Sequence, residues 1–344
     1  MFTKLHIKTN KPHPKKSDFI TIPRVLYGYL SNFVFREKIN LKEFPAIQGY
    51  ELVNLIRIQG GADQNSVGIY RNEDGKKVII KSLTYKKNLL AASQLRHEGA
   101  MLDLLQEYQY SGKLQEIRFP KLYEVINNPD SISIVMEFVE GKPIAELDTV
   151  TKLKLLDDCI NCFKQTTHDL PQEMFSKIPK RTKTFMTITF FVYLLFALKQ
   201  NLKLTGLLLS VAVQFYKYSV ISRFQKTSFV LTHKALHEEN VIVSGHSATI
   251  IDPQTGILAE EFSEIAIIPK FYLKDTGIIE IKKFLLKFLH SEDEVKNFFR
   301  LSIYYTIQTL ALTGKDYPKY EEAKKYLEIL NSTLFKDLLK SLKA

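Results

Sequence analysis

The hydrophobic pattern of this chain changes character at Gly141. Before it, short apolar runs rich in β formers alternate with turn residues. After it, apolar residues recur at helical spacing. Strands segregated from helices in this way predict an α+β architecture, with a small antiparallel sheet first and a mostly helical part after it. The chain has 344 residues, which suits two domains or one two-lobed unit.

The first part, 49–140, reads as three strands, a helix and two strands. Leu52–Ile58 is the first strand, closed by Gly60-Gly61, and Val67–Arg71 is the second. Asn72-Glu73-Asp74-Gly75 is a turn, and Lys77–Leu83 (KVIIKSL) is the third strand. Leu90–Tyr108 carries Leu95, Leu102 and Leu105 at helical spacing. Lys121–Ile126 and Ser131–Val139 then flank the turn Asn127-Asn128-Pro129-Asp130. In 141–344, Ile144–His168 reads as one helix or two, followed later by Gly277–His290, Glu292–Thr313 and Pro318–Leu330. Pro318 suits a helix start. Phe229–Leu231, Val241–Val243 and Thr249–Ile251 are short and apolar. Residues 1–48 read as a basic arm and a leading helix; Met1–Lys16 holds five lysines and no apolar stretch of signal-peptide length.

Met174–His237 is the most biased stretch. Its 64 residues contain no Asp or Glu and ten Lys or Arg. Two uncharged runs, Thr184–Leu198 and Leu204–Tyr216, are 15 and 13 residues long. Spanning a bilayer takes about 20 residues, and the break at Lys199–Lys203 predicts a helical hairpin inserted at about 174–230. Three placements stand for it: buried in the helical part, lying on an anionic membrane surface, or spanning. Cation-bounded apolar faces suit the second. The net charge of +11 points the same way, toward an anionic partner.

Two cysteines exclude a disulfide scaffold and suit a reducing, cytoplasmic compartment. Cys159 and Cys162 form a CxxC, but zinc needs four ligands and no second pair exists. Their mid-helix position beside Asp157 and Asp158 favours core packing over redox chemistry. His233 and His237 stand four apart, in a stretch that reads as a loop. Aromatic residues make up 12%, yet no RNA-module signature accompanies them, so nucleic acid is disfavoured as a partner.

The sharpest motif is Leu231–Gly256, LTHKALHEENVIVSGHSATIIDPQTG. Loop, strand, turn at Ser244-Gly245, strand and Asp252 follow one another. This resembles the catalytic and metal loops of the protein-kinase-like superfamily, nearest its aminoglycoside, choline and lipopolysaccharide-sugar phosphotransferases. Their loop runs His-x-Asp-x-x-x-x-Asn, with a metal-binding Asp after the next hairpin. Here His233, Ala235 and Asn240 occupy those places, and Asp252 follows twelve residues after Asn240. An amide oxygen and a carboxylate are the hard ligands that a phosphate-bound Mg2+ needs. The plain alternatives are a turn carboxylate for Asp252 and a turn-former for Asn240.

The resemblance extends upstream. It implies a two-lobed kinase-like fold in which Lys81, on the third strand, holds the α/β phosphates of ATP and Glu98, on the helix after it, orients Lys81. Main-chain groups of Glu137 and Val139, in ISIVMEFVEGKPI, would meet the adenine. Gly60-Gly61 opens a loop unlike the protein-kinase GxGxxG and closer to the Gly-Gly…Asn…Val-Tyr loop of small-molecule phosphotransferases; its amides would cradle phosphate.

One departure matters. Ala235 stands where the family carries its catalytic Asp, and general-base catalysis contributes about 10²–10⁴-fold. Glu238, Glu239 and His237 are the nearest substitutes. The resemblance therefore implies an ATP- and Mg2+-binding phosphotransferase of reduced activity. Its acceptor would be a hydroxylated small molecule or the sugar of a glycolipid, at the cytoplasmic face of a membrane. A pseudokinase that binds nucleotide without phosphoryl transfer is the alternative, and nucleotidyl transfer a third.

Overall fold

The computed structural model describes residues 46–58, 65–84, 89–222, 227–253, 256–312 and 318–343. Nearly all of the expected basic arm and leading helix, and the Gly60-Gly61 loop, lie outside the described residues. The described chain is mixed α+β, with a small antiparallel sheet first and a mostly helical part after it. It forms two compact units. One reaches Glu107 and takes in Lys121–Phe138; the other comprises Tyr108–Pro120 and the residues from Val139 onward.

The first unit contains β1 (Tyr50–Arg57), β2 (Ser66–Asn72), β3 (Lys77–Thr84) and α1 (Leu89–Leu105). With β6 (Leu122–Asn128) and β7 (Ser131–Glu137) the strands make an antiparallel sheet ordered β1-β2-β3-β7-β6. The β2–β3 turn forms because Asn72 accepts from Lys76 N through Oδ1 and from Gly75 N through its carbonyl, while Gly75 takes φ 78°. Side chains alternate across β3. Tyr70, Val78, Ile80 and Val135 cluster on one face. Ile79 and Leu83 pack on the other with Leu95, Leu102 and Ile134. The same alternation puts Lys81 on the α1-facing side.

In the second unit, β4 (Gln109–Ser111), β5 (Glu116–Arg118), β8 (Lys142–Pro143), β10 (Val241–Ser244) and β11 (Ser247–Ile250) form a sheet ordered β4-β5-β11-β10-β8. The strands β9 (Phe229–Thr232) and β12 (Ile257–Glu260) pair antiparallel. The helices are α2 (Thr149–Asp169), α3 (Gln172–Lys177), α4 (Lys183–Gln200), α5 (Thr205–Ser222), α6 (Ser263–Thr276), α7 (Ile278–Leu285), α8 (Glu292–Leu312), α9 (Pro318–Ile329) and α10 (Phe335–Ser341). The helix expected from Ile144 starts later. Ile144–Glu146 is a 3-10 turn, and Asp148 caps α2 by accepting from Val150 N and Thr151 N. The helix expected over Gly277–His290 ends at Leu285. The helix before it, α6, was not foreseen because it carries Pro269 inside, a residue that reads as a breaker.

The hairpin expected from the two apolar runs is present as α4 and α5. Both helices pack on each other and on α8. Phe190 and Phe215 stack at 3.7 Å between ring centroids, with Tyr304 beside Phe215. Beneath them Arg300 of α8 donates through one nitrogen to both carboxylate oxygens of Glu260, at 2.6 Å each, with both side chains buried.

Candidate active site

Lys81 and Glu98 meet because of two periodicities. Strand alternation turns Lys81 toward α1. Glu98 lies three residues after Leu95 and four before Leu102, on the helix face packed against the sheet. Lys81 Nζ donates to Glu98 Oε1 at 2.5 Å, and both residues are buried, at 7% and 0% exposure. Glu137 ends β7; its N–H donates to Lys121 O, and its carboxylate accepts from Lys121 N. Val139 lies two residues further on, in the irregular stretch before Gly141.

In the second unit the His233–Asp252 motif closes around one end of the β10–β11 ladder. Val241 pairs with Ile250, and Ile251 N donates to Asn240 O at 2.9 Å. Asn240 and Asp252 thus stand at the same end of one hairpin. The Asn240 amide nitrogen donates to Ala235 O at 2.8 Å, which turns its Oδ1 the other way. His233, almost fully buried, donates from Nε2 to Ile251 O at 2.8 Å and so ties its loop to the residue before Asp252.

Among the described residues only Lys234 (φ 60°) and Asp252 (φ 62°) are non-glycines with left-handed backbone, and both lie here. Such residues cost about 1–3 kcal/mol and persist where the surroundings over-determine them.

Glu264, at the start of α6, has no motif to announce it, yet it organises the loop. Its buried Oε2 accepts from His233 N at 2.8 Å and Lys234 N at 3.0 Å. Burial pushes its carboxyl up to about 7 against the pull of those N–H groups. Burial, then Arg181, holds the Lys234 amine well below its usual range, and Glu264 opposes them.

The substitutes for the missing carboxylate fare unequally. Glu238 is tied to Lys152 Nζ at 2.9 Å. The His237 ring packs edge-on against Phe271 and lies 3.2 Å from the Asn240 amide nitrogen. Glu239 is exposed. Cys159 and Cys162 are buried inside α2, and burial raises both thiols, Cys162 to about 12, so neither is a ready nucleophile or metal ligand.

A scan against protein-family models finds no match for this sequence, and a search of the curated proteins finds none either. Solved structures do match. A thermostable mutant of aminoglycoside phosphotransferase APH(4)-Ia, in ternary complex with ADP and hygromycin B, aligns with TM-score 0.57 at 10% identity, over 81% of this chain and 94% of that one. The GDP complex of wild-type aminoglycoside 2'-phosphotransferase-IIIa aligns with TM-score 0.54 at 13% identity, over 90% and 98%. A Plasmodium vivax ethanolamine kinase aligns with TM-score 0.52 at 13% identity, over 91% and 89%.

This chain has the protein-kinase-like fold.

Within the kinase-like fold, the strand-lysine and helix-glutamate pair occupies one unit. The loop that runs His233-Lys234-Ala235 to Asn240 and on to Asp252 occupies the other. The internal hydrogen bonds of this loop run through the Ala235 carbonyl, not a side chain: it receives the Asn240 amide nitrogen and His237 N.

Proposed function

We propose that this protein is an ATP- and Mg2+-dependent phosphotransferase. It moves the γ-phosphoryl group to a hydroxyl of a small molecule, or of a glycolipid sugar at the cytoplasmic face of a membrane. The buried Lys81–Glu98 pair carries the reading. Burying two charges is expensive, and a pair of apolar residues would serve stability as well or better. A lysine held in one orientation by a fixed carboxylate is what phosphate binding requires.

The metal fits the residues present. The Asn240 Oδ1, left over after the amide nitrogen engages Ala235, and the Asp252 carboxylate are two hard oxygen donors at one hairpin end. Mg2+ characteristically binds one or two such groups and takes the rest of its shell from phosphates and water. When bound, it would neutralise charge on the transferring group. His233 and Glu264 keep the loop in place; Lys81 would bind the α/β phosphates, and main-chain groups of Glu137 and Val139 the adenine. With Ala235 no side chain is fixed to take the acceptor proton, so turnover is expected to be about 10²–10⁴ below that of a complete site. The nucleotide complexes and small-molecule kinases among the similar structures support nucleotide and a small-molecule acceptor as ligands.

Thermal unfolding with and without Mg2+-ATP tests this. Ligand at about 100 times its dissociation constant adds roughly 2.7 kcal/mol, a shift of several degrees. The shift should vanish in Asp252→Ala; no shift at saturating nucleotide sinks the reading. Ala235 favours a second one, a pseudokinase that binds nucleotide and transfers nothing. A full thermal shift without ATP turnover on any acceptor would select it.

A further inference from the structure

The hairpin α4–α5 is apolar all round, but among the described residues only its inner face is covered. Phe190, Tyr193 and Phe215 point inward and are buried. The outward positions recur at three- and four-residue steps. Ile188, Phe191 and Leu195 line α4 at 59%, 45% and 68% exposure, and Leu209, Val213 and Tyr216 line α5 at 50%, 70% and 58%. Half of the exposed large apolar side chains among the described residues lie on this hairpin. A helix face in contact with water alone carries polar residues.

We infer that this outward face docks flat on a lipid bilayer with anionic headgroups. Charge selects the occupant. Lys199 and Lys203 at the turn and Lys217 on α5 are exposed, and no acid occurs anywhere in the stretch. A second copy on the same face would set these cations against one another; anionic lipid attracts them. In the same stretch Arg181 is buried, and Lys183 donates to Ser222 O.

The bonding of the inner face decides between lying and spanning. Leu202–Ser222 is long and apolar enough to cross a membrane. Yet both helices are riveted to their own unit along their length. Thr189 shares a hydrogen bond with the Tyr304 hydroxyl at 2.9 Å, and Gln308 donates to the Tyr193 hydroxyl at 3.1 Å. Gln200 donates to Ala311 O and Gln214 to Asn331 Oδ1. Spanning would break these or drag α8 and its Arg300–Glu260 pair into hydrocarbon.

The root of the hairpin leads back to the loop: Arg181 N donates to Leu258 O, Leu258 pairs with Leu231, and β9 runs into His233. This inference rests on the membrane part of the proposed function and makes the hairpin its contact.

The test is cosedimentation of the full chain, without nucleotide, with phosphatidylcholine vesicles and with phosphatidylcholine–phosphatidylglycerol vesicles. Binding is expected on the anionic vesicles, weakening as salt is raised. The triple variant Lys199→Gln, Lys203→Gln, Lys217→Gln should lose roughly a hundredfold in affinity, about fivefold per cation. Leu195→Asp with Val213→Asp should abolish binding. All changed side chains face outward, so the thermal unfolding of the variants should match the parent. Absence of binding, binding undiminished in both variants, resistance to alkaline carbonate extraction, or a homodimer dissociated by Leu195→Asp would each overturn the inference. Vesicle binding without any Mg2+-ATP shift would instead sink the phosphotransferase reading and leave this one standing.

Discussion

Lys81 Nζ lies 2.5 Å from Glu98 Oε1, with both side chains enclosed between the sheet and α1. Under the proposed function, a pair so placed couples stability to nucleotide binding. Lys81→Met alone strands a buried carboxylate and is expected to cost about 3–5 kcal/mol. The double variant Lys81→Met, Glu98→Leu removes both charges and should recover most of that loss. It should still show no thermal shift with Mg2+-ATP. Urea unfolding of the three proteins, with and without nucleotide, separates the two effects.

Ala235 offers the direct test of catalysis. Restoring the carboxylate with Ala235→Asp should raise phosphoryl transfer by about 10²–10⁴-fold while leaving the Mg2+-ATP shift unchanged. The check is a coupled ADP-release assay on hydroxylated acceptors. No gain, with nucleotide still bound, would mark the protein as a pseudokinase.

Glu264 makes stability pH-dependent in a direction opposite to an ordinary ion-paired carboxylate. Its folded value of about 7 lies above the ordinary glutamate value of 4.5. Between these values the folded state holds a proton that the unfolded state has released, so stability falls as pH rises through that window. The full loss is about 3 kcal/mol. Glu264→Gln keeps an oxygen for the His233 and Lys234 amides and cannot ionise. Its urea midpoint should therefore vary less between pH 4.5 and 7 than that of the parent; equal slopes would refute the assignment.

Gly141 adopts φ 153°, and a Cβ there would come within 2.3 Å of the Val243 carbonyl oxygen. That backbone pairs with β8 through Val243 and Lys142, so neither side can yield cheaply. Gly141→Ala is expected to cost about 2 kcal/mol or more, read as a lowered urea midpoint with unchanged slope.

Much of the fold was legible along the chain. The strands of the first sheet appear within a few residues of the apolar runs that announced them, because β-branched alternation and the Asn72–Gly75 turn are local signals. The three-residue strands β4 and β5 escaped, since so short a run has no period to read. Pro269 hid α6, and α6 carries Glu264, 31 residues from the His233 amide that it holds. Spacing does not disclose a contact of that kind. The hairpin was legible as helices, but not its sidedness: with apolar residues all round, only packing on α8 separates inward Phe190 from outward Phe191.

The sequence by itself determined the order of the strands in the first sheet, the acid-free cationic hairpin, and the spacing of His233, Asn240 and Asp252. Hydrophobic period, turn residues and charge are properties of neighbours in the chain. The tertiary structure alone decided which groups meet. It put Lys81 against Glu98, tied His233 to Ile251, set Glu264 under the loop, buried Arg181 and bonded Lys183 to Ser222 O, while Lys199, Lys203 and Lys217 stayed exposed. The reason is that burial and hydrogen-bond partnership are fixed by what packs from a distance, and no local pattern carries that information.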